Sequence, residues 1–195
     1  MSGLREQKKA ATRNAIADAA ALVTLRDGVD AATVSSVARL AGVSTRTFHN
    51  YFTSREDALL HFVVSRLRYL ALQLESPTPG ESLLDSLERL MVSSIEEGGS
   101  ETLDSFATLY RLGEVLNSLE PIRAQRTLKK QFGPLFERIA HNTPGMDAFD
   151  VSVVLTVGAG AAHRAMESYF DQASPTGPTD AVARVRRAFA VIRSL

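Results

Sequence analysis

The chain has 195 residues, 45% of them hydrophobic, with 22 Lys and Arg balanced by 22 Asp and Glu. That is enough for one large or two small domains with a real core, and zero net charge means no global basic field advertises a nucleic-acid partner. The lack of cysteine excludes disulfides and thiolate metal sites, no apolar run approaches the roughly 20 residues of a membrane span, and the polar first residues hold no signal-peptide core, so the expected location is the cytoplasm.

Residues 1–60 carry eight Lys and Arg against six Asp and Glu, and the remainder carries fourteen against sixteen. The small basic excess gathers in Arg5, Lys8, Lys9 and Arg13, which reads either as a group reaching phosphates or as a solvated tail. Residues 1–8 read as a mobile arm. From about Lys9 to Leu25, the residues Thr12, Ile16, Ala20 and Val23 share one helical face, and Gly28 ends the helix as a C-cap. Val29 to Ala32 link onward.

The stretch from Thr33 to Phe52 reads as a helix-turn-helix. Val34, Val37 and Ala38 put apolar atoms on one face at i, i+3, i+4 spacing, and small Ala38 lets a second helix cross close above it. Gly42 falls four residues later, where the turn needs positive φ, and Val43 packs beneath it. Ser44 suits the N-cap of the next helix, Thr45 to Phe52, which turns Phe48 and Phe52 inward. Thr45, Arg46, Thr47, His49, Asn50 and Tyr51 are left outside, with no acid among them, as donors and acceptors for phosphates and base edges. The plainer reading is a helical hairpin inside an ordinary core. Ser54 then opens a fourth helix with Asp57 three residues on, like a capping box, and Arg55 at its start either touches a phosphate or is a surface charge.

On Ile16, Ala19, Ala20, Gly28, Thr33, Val34, Val37, Ala38, Ala41, Gly42, Val43, Ser44, Thr47, Phe48, Tyr51, Phe52, Glu56 and Leu59, the segment Thr12 to Leu60 resembles the DNA-binding domain of TetR-type (tetracycline-repressor-like) transcriptional regulators. Arg46 stands where many members carry a smaller residue, His49 where Tyr is common and Arg55 where Lys is common. These departures bear on the operator sequence and leave the fold alone. The resemblance implies an all-α protein in three parts: a helix-turn-helix DNA-binding domain over 1–54, a linking helix over 55–75, and a helical regulatory and dimerisation domain over 76–195. Its expected DNA-binding residues are Thr33, Ser44, Thr45, Arg46, Thr47, His49, Asn50, Tyr51 and Arg55.

The fourth helix, Arg55 to about Leu74, carries a stripe of Leu59, Leu60, Val63, Leu67, Leu70 and Leu74. SPTPG at Ser76 to Gly80 is the clearest break. Beyond it only helices are expected. Glu81 to Glu97 stops at Gly98-Gly99, and Ser100 caps the next helix, which runs past Phe106, Tyr110, Leu116 and Leu119. Pro121 suits a first helical position, and Gly133-Pro134 is expected to kink or split the segment Ile122 to His141. After a loop at Asn142 to Gly145, Asp147 caps a long helix to about Phe170. SPTGP at Ser174 to Pro178 breaks again, and Thr179 caps the last helix. No stretch alternates with period two for long enough to make a strand.

Small residues from Gly158 to Ala162 sit mid-helix at a propensity cost and let another helix come near. With the seam of the last helix they suggest a four-helix homodimer interface, as the resemblance also implies, built on Gly158, Ala162, Val182, Val185, Phe189 and Ile192. The alternative is close packing within one subunit. A dimer would let two short recognition helices read a palindrome. GAGAAH at Gly158 lacks the preceding strand of a nucleotide loop.

The resemblance further implies a small-molecule pocket from about residue 77 onward. Candidates are Phe106, Tyr110, Leu116, Asn117, Phe132, Phe136, His163, Met166 and Tyr169, each of which also has an ordinary reading as a core or interface residue. The expected effector is mainly hydrophobic, and no cofactor or metal is expected. Three functions compete: a repressor released from DNA by its ligand, a helix-turn-helix activator or DNA-binding module without a small ligand, and an enzyme. Against the enzyme, His49, His61, His141 and His163 are scattered, and the paired Glu96-Glu97 point apart at a helix end.

Overall fold

The computed structural model describes residues 2–76, 78–98, 102–103, 105–174 and 176–195. The expected cap Ser100, and Pro77, Gly99 and Pro175 of the expected breaks, lie outside the described residues. The helices are α1 (Ser2–Asp27), α2 (Val34–Leu40), α3 (Thr45–His49), α4 (Arg55–Leu72), α5 (Leu83–Gly98), α6 (Phe106–Leu119), α7 (Pro121–Asn142), α8 (Ala148–Phe170) and α9 (Pro178–Ser194), with a 3-10 turn at Gln73–Glu75. No strand occurs among the described residues, so the protein is all-α, as its periodicity predicts.

The chain forms two compact units. The first comprises Met1–Ser65 with Arg111–Arg126, the second Arg66–Tyr110 with Thr127–Leu195. In the first unit the expected arm is helical: α1 begins at Ser2, because Leu4, Arg5, Glu6, Gln7, Lys8 and Lys9 are all good helix formers. Ile16, Ala20 and Val23 of α1 are buried, as are Val37 and Ala38 of α2 and Phe48 and Phe52 around α3. Gly28 ends α1 at φ 89° and Gly42 makes the turn at φ 67°, both in the left-handed region that a Cβ disfavours.

The second unit is a bundle in which α5, α8 and α9 pack on one another. Its core includes Leu87, Leu90, Ile95, Leu135, Ile139, Val151, Met166, Val185 and Phe189. Three local expectations give way here. α7 runs unbroken through Gly133-Pro134. Phe132 and Phe136, with ring centroids 6.4 Å apart, straddle the proline, and buried Leu135 and Ile139 fasten the turns after it. Tertiary packing offsets the missing hydrogen bond. Next, α9 starts at Pro178, whose ring presets helical φ, so Gly177 is the N-cap and Thr179 lies within the first turn. The helix after the first proline-rich break starts at Leu83, where Ser82 Oγ accepts from the Asp85 N–H at 3.1 Å. The expected cap of α8 is present: Asp147 and Asp150 form a reciprocal capping box.

Candidate functional site

Each helix of the helix-turn-helix is held by its own cap. Thr33 Oγ1 accepts from the Ser36 N–H at 3.1 Å and starts α2. Ser44 Oγ accepts from the Thr47 N–H at 3.0 Å and lies 2.8 Å from Thr47 Oγ1 at the start of α3. Between them the Val43 N–H reaches back to the Ala38 carbonyl at 2.9 Å across the Gly42 turn. A helix as short as α3 does not persist alone, so its ends and its buried side decide its place. Phe48 is fully buried, and its ring centroid lies 6.0 Å from that of Phe52. The Arg13 guanidinium sits 4.8 Å over the Phe52 ring centroid. Arg13 of the basic front is thus a brace for the turn, while Arg5, Lys8 and Lys9 are exposed along α1.

The second helix is shorter than its sequence suggests. Helical geometry stops at His49, because the Asn50 N–H is shared between the Arg46 and Thr47 carbonyls and Tyr51 N–H returns to Phe48 three residues back. Phe52 is still carried inward. Thr33, Ser44, Thr45, Arg46, His49 and Asn50 are exposed on this head, and Thr47 and Tyr51 are half-buried. The free N–H groups and exposed donors of α3 carry no neighbouring acid, which suits phosphate oxygens and base edges.

Arg55 is placed differently from that group. Its guanidinium donates to the Val29 carbonyl at 2.5 Å and to Glu56 at 2.6 Å, tying the start of α4 to the loop after α1. Asp57 also ties elements together. It accepts from the backbone N–H and hydroxyl of Thr53 and from Arg123 of α7 at 2.6 Å. Nothing in the spacing of the sequence signals that Arg123 contact, which joins residues 66 positions apart. His61 faces Asn14, and burial together with the Arg13 charge holds its imidazole below the ordinary value of 6.5.

The second unit contains a cavity of about 380 Å³. Leu67, Leu70, Ala71 and Leu74 line one part, Leu87, Leu90 and Met91 of α5 another, and Leu128, Phe132 and Phe136 of α7 a third. Phe106 and Leu155 complete the apolar wall, and Lys129, Thr156 and Ala159 supply exposed positions on α7 and α8. Of the residues expected to hold a ligand, Phe106, Phe132 and Phe136 meet here. Tyr110, His163, Met166 and Tyr169 do not. Tyr110 stacks on Phe170 at 5.6 Å with rings 3° apart and meets exposed His163 edge-on at 5.0 Å. Met166 and Tyr169 are buried in the bundle core. Asn117 belongs to the first unit, as does Leu116, which is buried.

Gly158, Ala162, Val182, Val185 and Phe189 are all buried within the protomer itself, and Ile192 is half-buried. A Cβ on Gly158 would lie 2.5 Å from Leu87 Cδ2, so this glycine permits α5 and α8 to approach inside one chain. The apolar surface that α8 leaves uncovered is another face: Phe149, Val153 and Val157, exposed by 72%, 43% and 46%, at four-residue spacing. Among the described residues no three His, Asp or Glu converge as metal ligands, and no helix is long and apolar enough to cross a membrane.

Caps, turn glycine and acid-free exposed face together define a helix-turn-helix head. Residues 14–61 match the model of the bacterial regulatory proteins of the tetR family, so the chain carries the DNA-binding domain of that family. A solved structure from Mesorhizobium loti MAFF303099, named as a TetR-family transcriptional regulator, is 20% identical and superposes with a TM-score of 0.53 over 93% of this chain and 96% of its own. That likeness extends the fold to the helical remainder. No curated protein matches the chain.

Proposed function

We propose that the protein is a dimeric repressor that leaves a palindromic operator when a mainly hydrophobic small molecule fills the cavity of its second unit, and that it works in the cytoplasm. The observation that carries the DNA half is the capped, acid-free α3 presented by the Gly42 turn. Phosphate contacts from Thr33, Ser44, Thr47 and Tyr51 set the register, and Arg46, His49 and Asn50 read base edges. Arg55 contributes through the head it holds together. Pairing two heads is the work of the exposed face carrying Phe149, Val153 and Val157. Covering such a stripe in a four-helix contact removes apolar surface from water and spaces the heads by about one turn of DNA or more.

The apolar cavity supports the ligand half. A ligand that binds better to a state with its heads at the wrong spacing lowers DNA affinity, and DNA lowers ligand affinity by the same factor. The test is retention of genomic fragments by the full chain against excess non-specific duplex. Recovery of a few fragments sharing a two-fold sequence supports the proposal. Uniform retention, equally lost with salt, overturns it.

A further inference from the structure

The cavity has a chemical polarity that its hydrophobic walls alone do not convey. Among the described residues its lining includes one charged side chain, Lys129, and no acid. Lys129 is exposed on α7, followed by exposed Lys130, and α7 has no Asp or Glu before Glu137. Across from it α8 supplies Thr156 and Ala159, and that helix is free of charged residues from Val151 to Ala162. A cationic amphiphile would bury its hydrocarbon among leucines and phenylalanines with its charge set against an ammonium. A neutral one would gain nothing from that exposed ammonium. An anion completes the pairing.

We propose that the effector is an anionic amphiphile: a hydrocarbon body in the cavity and a single carboxylate-like head on Lys129, with the Thr156 hydroxyl available as a further donor. This rests on the reading of the cavity as the effector site. A cavity of about 380 Å³ has room for a hydrocarbon body, which a ten-carbon chain probes.

The experiment is calorimetric titration of the full chain with decanoate, decanol and decyltrimethylammonium, all below micelle formation. Decanoate binds tightest and the ammonium weakest. Lys129→Glu, a surface change that leaves the core intact, weakens decanoate by roughly three- to tenfold and strengthens the ammonium. Leu155→Trp, which fills the cavity, removes decanoate binding. Equal affinity for all three probes, unaltered by Lys129→Glu, overturns the anionic head while keeping an apolar effector cavity. No binding of any probe to the wild-type chain overturns the head and the effector reading together. Decanoate binding that survives Leu155→Trp in a folded protein places the ligand elsewhere and also overturns the proposal.

Discussion

Ser44 separates two things that one residue does at the DNA face. Its hydroxyl accepts the Thr47 N–H at 3.0 Å, which makes it the structural start of α3, and it is exposed at the turn that the proposed function sets against DNA. Ser44→Ala removes the acceptor and leaves one more orphan N–H on a five-residue helix. The expected cost is about 1 kcal/mol, within a range of roughly 0.5–2. For a chain of this size that lowers the melting temperature by about 2–4 °C. Ser44→Asp keeps an acceptor at the cap and favours the helix N-terminus electrostatically, so the fold is retained. It also puts a negative charge against phosphate. DNA affinity therefore falls for Ser44→Asp without a matching loss in stability, whereas Ser44→Ala loses stability first. Thermal unfolding followed by circular dichroism, paired with fluorescence anisotropy on a labelled duplex at fixed salt, reads both quantities. If Ser44→Asp binds DNA like the wild type, the N-terminal end of α3 does not face phosphate and the docking geometry is wrong.

Four further changes probe the rest of the molecule. Phe48→Ala empties a fully buried site and is expected to cost about 3–5 kcal/mol, abolishing DNA binding; chemical denaturation measures the loss. Arg123→Ala removes the partly exposed pair with Asp57 and lowers stability by no more than about 1 kcal/mol, an effect that shrinks in high salt when melting temperatures are compared. Gly158→Ala gains roughly 1 kcal/mol of helix propensity but forces Leu87 aside, so the net expected effect is destabilisation of about 1 kcal/mol, seen in the denaturation midpoint. The depressed pKa of His61, due first to burial and then to Arg13 and opposed by Asp57 and Asp18, means the unfolded chain takes up its proton at higher pH than the folded one. Stability is therefore full above about pH 6.5 and falls as pH drops through that value towards the folded pKa; melting curves at pH 7.5, 6.5 and 5.5 show the decline, and His61→Gln reduces it.

The head was legible because each of its parts is a local rule. Thr33 and Ser44 are caps, Gly42 is a positive-φ turn, and Val37, Ala38 and Phe48 follow helical spacing, so few distant contacts are needed to read them. Where distant contacts decide, the sequence is silent. The Arg123–Asp57 and Arg55–Val29 ties join residues that no local pattern associates. The cavity shows the same limit. Phe132 and Phe136 are visible as an apolar face of α7, but their meeting with Leu67, Leu87 and Leu155 depends on how four helices pack. Lys129 carries no sequence signal at all. The small residues of α8 illustrate a subtler ambiguity. Gly158 and Ala162 do mark close helix approach, and periodicity alone does not say whether the neighbour is α5 of the same chain or a helix of another. The four-residue spacing of Phe149, Val153 and Val157 was readable in advance, yet only their exposure distinguishes an outward stripe from a buried one.

The most direct test of the central claim, that α3 reads DNA sequence, is selection from randomised duplex DNA by the full wild-type chain and by Arg46→Ala in parallel, at one near-physiological salt concentration. The wild type enriches a two-fold symmetric motif, and Arg46→Ala loses preference at one position in each half-site, by roughly 1–3 kcal/mol of discrimination. Recovery of no motif by the wild type, or of the same motif with undiminished preference by both proteins, contradicts the assignment of base reading to Arg46 on α3.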